Sequence, residues 1–222
     1  MSELTSISLT QNVYQVLKGE ILECRLLPNS DLREQHLARR FAVSKSPVRE
    51  ALLRLEQERL VTVAPRQGYK VAPISLEDAQ EMFELRKVLE SACAEAAASA
   101  GTQEALDRLD AFRTLEQDKD EEQTDAFIKY NRAFHIAVCE SSGNSRMARL
   151  ATDLIEQMER MIRFSVNAVP AQDKTVLLKE HGEIIDAIQA GDRRKASRLI
   201  KHHIADAEKR VINYLSQAAI RG

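Results

Sequence analysis

Leu32 to Leu55 read LREQHLARRFAVSKSPVREALLRL, two short amphipathic segments separated by Ala42-Val43. The first turns Leu32, Leu37 and Phe41 inward and leaves Arg33, Arg39 and Arg40 for water. Ser44 stands at the N-cap of the second, where a hydroxyl can accept a hydrogen bond from a first-turn N–H. Val48, Leu52 and Leu55 then recur at i, i+4 and i+7, the spacing of a helix face packed on a core. The opposite face and first turn offer Lys45, Ser46 and Arg49. Short donors and long cations at those positions suit a helix that enters the major groove by its N-terminus. The pattern predicts a helix-turn-helix that binds double-stranded DNA.

The flanking sequence extends this unit. Leu9 to Cys24 predict an earlier helix with Val13, Val16, Leu17 and Ile21 on one side, broken after Pro28-Asn29. Leu60-Val61-Thr62-Val63, a turn at Pro65-Arg66-Gln67-Gly68, and Tyr69-Lys70-Val71 predict a hairpin wing. Arg66 lies near its tip, and Gly68 stands where a positive φ is expected. Residues 33–70 hold nine Lys or Arg against four Asp or Glu, although the whole chain is net −2. Basic charge is therefore concentrated where phosphates would lie. A solvated surface explains cations alone; it does not explain a helix pair, a capped second helix, a basic first turn and a following hairpin in that order.

At 222 residues and 44% hydrophobic composition, the chain can bury two modest cores. Three dispersed cysteines, at 24, 93 and 139, argue against a disulfide framework and fit a reducing compartment. With no secretion signal and no run long enough to span a bilayer, the expected location is the cytoplasm, away from membranes. Ala72-Pro73-Ile74-Ser75 divides the sequence into a winged helix-turn-helix domain over 1–73 and a helical domain over 74–222. Ser75 and Asp78 form a capping box with aspartate in place of glutamate. A long helix follows from Leu76 to Ala100, closed at Gly101, and a second runs from Thr102 into the charge run 118–122. Further helices are expected around 131–135 and over 144–164, 174–190 and 192–216. The fold class is thus mainly α, with a six-helix bundle after the wing. After position 73 there are 21 cationic and 26 acidic residues, so this second domain is not another DNA surface.

All but one of the five histidines fall in the second domain. Asn131 and His135 are one turn apart on the same helix face. His181 aligns with Leu177, Leu178, Ile185 and Ile188, and His203 with Leu199 and Ala207. His202 instead aligns with Arg198 and Asp206, a polar stripe. Three imidazoles and an amide oxygen facing one interior make a candidate divalent-cation site for Zn, Ni or Mn. The plain alternative is three hydrogen-bonded core histidines. Arg86 and Glu90 are an i, i+4 pair; either they form an ion pair along the helix or Arg86 faces the pocket and takes a carboxylate.

Pro28, Leu32, Glu34, Leu37-Ala38, Val43-Ser44, Pro47 to Leu52 (PVREAL) and Gly68 resemble the winged-helix signature of the GntR superfamily of bacterial transcription regulators. The C-terminal portion resembles the FCD effector domain of its FadR-like branch. That branch often carries Asp-x3-His on one helix and two later histidines. Asn131 to His135, His181 in EHGEIIDAIQAGD and His203 in KHHIADA keep this order, while FELRKVLE resembles the Arg-to-Glu element at Arg86. Two positions depart from the pattern: Lys45 stands for the commoner arginine, and Asn131 for the commoner aspartate. The resemblance implies a homodimeric, ligand-responsive regulator, usually a repressor, on a palindromic operator. A small carboxylate in a metal-containing helical pocket would control it. The competing functions are a metal-dependent enzyme with an accessory DNA-binding domain, and a metal-free regulator responsive to acyl-CoA. No HExxH helix, nucleophile elbow or glycine-rich phosphate loop favours catalysis.

Overall fold

The computed structural model describes residues 2–64, 68–115, 123–166 and 171–221. It divides into two compact units, Met1–Ile74 and Ser75–Gly222. The first contains α1 (Ser2–Leu22), β1 (Asp31–Leu32), α2 (Glu34–Phe41), α3 (Lys45–Gln57), β2 (Val61–Ala64) and β3 (Gly68–Val71). Val13, Tyr14, Leu17, Ile21 and Leu22 of α1 meet Val48, Ala51, Leu52 and Leu55 of α3 in one apolar core. Val16 is only half-buried. α2 adds Leu37 and Ala38, and Phe41 packs at the margin of the core. The three strands run in the order β1-β3-β2, all antiparallel, with Leu32 opposite Tyr69 and Val63 also opposite Tyr69.

Two local expectations need correction. Leu32 is buried, but in a strand and not in the first helix: Asp31-Leu32 pairs with β3 and adds a third strand to the wing. A two-residue strand is too short for an alternation pattern to register. Ser44 does occupy the N-cap of α3, with extended backbone, yet its side chain makes no capping hydrogen bond. The α2–α3 turn is shaped by Ala42 at φ 53°, with Val43 N–H donating to Ala38 C=O at 3.0 Å. That is the bond pattern that commonly ends a helix on glycine. Here an alanine bears the left-handed conformation.

The second unit contains α4 (Leu76–Ala100), α5 (Gln103–Asp107), a 3-10 segment (Arg108–Phe112), α6 (Gln123–Glu140), α7 (Ser145–Val166), α8 (Ala171–Gln189) and α9 (Arg193–Arg221). Ser75 caps α4 by accepting from Asp78 N–H at 2.9 Å. Gly101 ends it in an extended conformation, not a left-handed one. Glycine is needed there because a Cβ would lie 2.6 Å from Ala97 O and 2.8 Å from Leu106 Cδ2. α4 has its most extensive packing against α9 and also touches α6, α7 and α8. Its buried residues, Ala79, Phe83, Arg86, Glu90, Cys93, Ala94 and Ala97, alternate in threes and fours and carry two charges into the interior.

The helix expected from Thr102 is only five residues long before it tightens to 3-10. Side chains from other helices take the carbonyls that a longer α-helix would use. Gln189 Nε2 donates to Leu106 O at 3.1 Å, and Tyr130 OH donates to Phe112 O at 2.5 Å. Neither donor is visible from the local sequence. The charge run 118–122 lies outside the described residues.

Candidate functional sites

In the first unit, Arg33, Arg39, Ser44, Lys45, Ser46 and Arg49 are all exposed. They cluster at the two ends of the α2–α3 pair: Arg33 at the N-cap of α2, Arg39 in its last turn, and Ser44 to Arg49 at the start of α3. Arg49 is held bidentately by Glu34, Nε to Oε1 and Nη2 to Oε2, both at 2.9 Å. This contact lowers the Glu34 carboxyl pKa below the usual range, chiefly through the hydrogen bond from Arg49. Ser46 donates to Glu50 Oε1 at 3.2 Å. Gly68 has φ 100°, and a Cβ there would lie 3.3 Å from Leu32 O, so both backbone angle and space favour glycine. Arg66 lies outside the described residues.

In the second unit, α6, α8 and α9 bring His135, His181 and His203 together, all buried, with their ligand-capable nitrogens within 4.8 Å of one another. Each ring is oriented by a partner on Nδ1. His135 Nδ1 meets Glu90 Oε2 at 2.5 Å, His203 Nδ1 meets Glu180 Oε2 at 2.7 Å, and His181 Nδ1 meets Tyr130 OH at 3.1 Å. His181 is also stacked on Phe134, ring centroids 3.7 Å apart. Burial pushes the Tyr130 phenol up to about 12, so it keeps its proton and gives it to Phe112 O. Tyr130 can then only accept from His181, which fixes the proton of that ring on Nδ1. Glu90 and Glu180 orient His135 and His203 through Nδ1 in the same way; burial raises the Glu90 carboxyl pKa, and the Arg86 guanidinium opposes that shift.

The consequence is electrostatic. The partners on Nδ1 leave Nε2 as the inward nitrogen of each ring, and Nε2 of His181 lies 3.2 Å from Nε2 of His203. Two facing lone pairs at that distance repel unless a proton or a cation lies between them. Two nitrogens bound to one ion at about 2.0–2.1 Å lie roughly 2.8–3.0 Å apart at cis-octahedral positions and roughly 3.3–3.4 Å apart at tetrahedral ones. Burial, followed by the charge of Arg86, holds the His135 imidazole well below its ordinary pKa, and burial is likewise the leading cause for His181. Both rings therefore stay neutral, as ligands must. Asn131 is half-buried and lines the same cavity with His135 and His203. His202 stays outside, 72% exposed and 3.2 Å from Asp206.

Arg86 forms the ion pair along the helix and also lines the cavity. Its Nε donates to Glu90 Oε1, and it lines the cavity with a buried Nη2 that has no hydrogen-bond partner. Glu90, Glu180 and Tyr130 as anchors of the histidine rings were not singled out from the sequence. Glu90 showed its i, i+4 relation to Arg86, but its reach to His135 has no local signal. Glu180 stands beside His181 in the chain and serves His203 on the next helix instead.

Residues 9–71 match the family of bacterial regulatory proteins named for gntR, and residues 81–206 match the FCD domain. The chain belongs to the GntR family of transcription regulators, in its FadR-like FCD arrangement. It is 28% identical over 208 residues to the HTH-type transcriptional repressor RspR of Escherichia coli, covering 90% of this chain and 88% of that one. It is 29% identical over 201 residues to the repressor GlaR of the same species, covering 86% and 90%. The solved structure of E. coli McbR/YncC shares the fold, with a TM-score of 0.75 at 24% identity over 95% of this chain and 98% of that one. Among the described residues, no helix is long and apolar enough to cross a membrane.

Proposed function

We propose that this protein is a cytoplasmic, ligand-controlled transcriptional repressor that binds a palindromic operator as a homodimer. A small organic acid in the histidine-lined cavity releases or engages it. Two-fold symmetry would present two α3 helices to two half-sites. Glu34 occupies the Nε/Nη2 edge of Arg49, which leaves the Nη1/Nη2 end to meet O6 and N7 of a guanine. Lys45, Arg33 and Arg39 serve as phosphate contacts, and Ser44, Ser46, Arg66 and Gly68 complete the interface.

The observation that carries the effector half of this reading is the convergence of three buried histidine nitrogens, each ring held at Nδ1 from behind. His135, His181, His203 and Asn131 would hold a divalent ion, and the donor set fits one. When bound, such an ion supplies a Lewis-acidic centre for a carboxylate oxygen. Arg86, with its free Nη2, receives the same anion. The ligand acts by favouring one of two dimer arrangements, which requires different affinity for the two. Regulation is favoured over turnover because no carboxylate lines the cavity among the described residues, and Glu180 is engaged by His203. Among the described residues, no free carboxylate stands there to act as a general base.

Elemental analysis of the purified protein and its variants tests this. His135→Ala, His181→Ala and His203→Ala each lose the ion, His202→Ala keeps it, and Glu180→Gln weakens metal affinity by about 10–100-fold. A small acid should change operator binding and be recovered unaltered. Metal content indifferent to all three histidines would make them core residues, and conversion of the acid would make the protein an enzyme.

A further inference from the structure

We infer that Cys93 and Cys139 form a reversible redox site, a dithiol that a peroxide closes into a disulfide between α4 and α6. Both are free thiols, and they pack in one buried cluster with Ala148, Ala151 and Ile155 of α7. Any small apolar side chain would serve the packing. Two thiols side by side add a chemistry that packing does not use. Cys24, the third cysteine, lies in the other unit.

The two sulfurs are not equivalent. Cys139 donates a hydrogen bond to Cys93, and Ser142 Oγ is a second donor within reach of Cys93. The Ser142 hydroxyl donates to Cys139 O at 2.6 Å, and a turn about its C–O bond brings that proton to the sulfur. The bond from Cys139 holds the Cys93 thiol below its ordinary pKa, against the opposing effect of burial. The same bond, followed by burial, pushes Cys139 up. Cys93 is thus the nucleophile, and Cys139 keeps its proton. The Cys93 thiolate attacks one oxygen of hydrogen peroxide, the O–O bond breaks, and the departing hydroxide takes up a proton to become water. Cys139 Sγ then attacks the resulting sulfenic acid: the S–S bond forms, the S–O bond breaks, and the hydroxyl leaves with the Cys139 proton as a second water. Two thiols lose two electrons and one peroxide gains them.

Both sulfurs are 0% exposed, which shuts out an oxidant as large as oxidised glutathione and admits one little larger than water. Cys139 is the penultimate residue of α6, and the turn that follows is held to it by Ser142 N–H and Oγ on Cys139 O. Fraying of that one helix end opens the path. Glu90 precedes Cys93 by three residues and His135 precedes Cys139 by four, so the thiols lie one turn along the same two helices from the Glu90–His135 contact. Joining the sulfurs draws α4 and α6 together there and shifts the carboxylate that orients His135. This consequence rests on the reading of the three histidines as an ion site; the disulfide does not.

Full-length protein carrying Cys24→Ser, treated with hydrogen peroxide while folded, tests this by thiol counting and intact mass. Both remaining thiols should vanish, the chain should lose the mass of two hydrogen atoms without joining a second chain, and dithiothreitol should restore it. In Cys139→Ala, dimedone should capture a sulfenic acid on Cys93; in Cys93→Ala it should capture none on Cys139. The oxidised form should bind Zn²⁺ about tenfold more weakly than the reduced form, as when a group that orients a ligand is displaced. Thiols that survive peroxide, gain oxygen in place of losing hydrogen, or pair only in urea would make the two cysteines plain core packing and overturn the inference. Capture on Cys139 would overturn the choice of nucleophile. Equal Zn²⁺ affinity in the two forms would overturn the link to the histidines. Zn²⁺ binding absent from both forms would instead remove the ion-site reading and leave the disulfide standing.

Discussion

The two units distribute polarity in opposite ways. The core of the winged helix is wholly apolar, from Val13 to Val71, and its charges lie outside at Arg33, Arg39, Lys45 and Arg49. The helical unit buries Arg86, Glu90, His135, His181 and His203. A domain that meets a polyanion from outside needs only a stable frame and a charged exterior. A buried ionic network costs desolvation that apolar residues of similar volume avoid. Its retention in the middle of α4, α6, α8 and α9 makes sense where a bound group completes it.

This contrast can be broken most directly at Glu90. Glu90→Ala leaves the Arg86 guanidinium buried without a counter-charge and frees Nδ1 of His135. We expect a loss of about 3–5 kcal/mol in denaturant unfolding. Cutting the ion pair of Arg40 with Glu20 on the first unit, where Arg40 is 44% exposed, should cost under about 1 kcal/mol. Equal losses at the two pairs would erase the distinction drawn between the units.

A smaller effect, read in binding and not in folding, is expected at the recognition helix. Arg49→Ala should weaken operator binding by about 1–3 kcal/mol and relax specificity at one base pair. Lys45→Ala should weaken all sequences alike and lower the salt slope by about one. Unchanged unfolding midpoints in both variants are part of the expectation, because neither side chain touches the core. A loss confined to one base pair in Lys45→Ala would reverse the two assignments.

The smallest effect concerns the turn between α2 and α3. Ala42 sits at φ 53°, and an L-residue there is roughly 1–2 kcal/mol less favourable than in ordinary backbone. Ala42→Gly should stabilise the first unit by about 0.5 kcal/mol, the remainder being offset by the greater chain entropy of glycine. Destabilisation in a thermal melt would show that the alanine methyl contributes packing that its exposed position conceals.

The sequence by itself determined the elements whose information is local and repetitive. The i, i+4, i+7 face of α3 announced the helix-turn-helix, and Ser75 with Asp78 announced the start of α4. His181 and His203 fell on inward faces for the same reason, since a helix of fixed pitch converts spacing into direction. What lacks a period was decided only in three dimensions. The two-residue strand Asp31-Leu32 exists because β3 passes beside it. α5 gives way to the 3-10 segment where Gln189 reaches Leu106 O, and that segment ends where Tyr130 reaches Phe112 O. The proton positions on the three imidazoles depend on Glu90, Glu180 and Tyr130, two of them from other helices far along the chain and one held on the ring's neighbouring helix. Hydrogen bonds across helices act over a few ångströms of space whatever the separation in sequence. The faces could therefore be read from spacing, and the chemistry of the site could not.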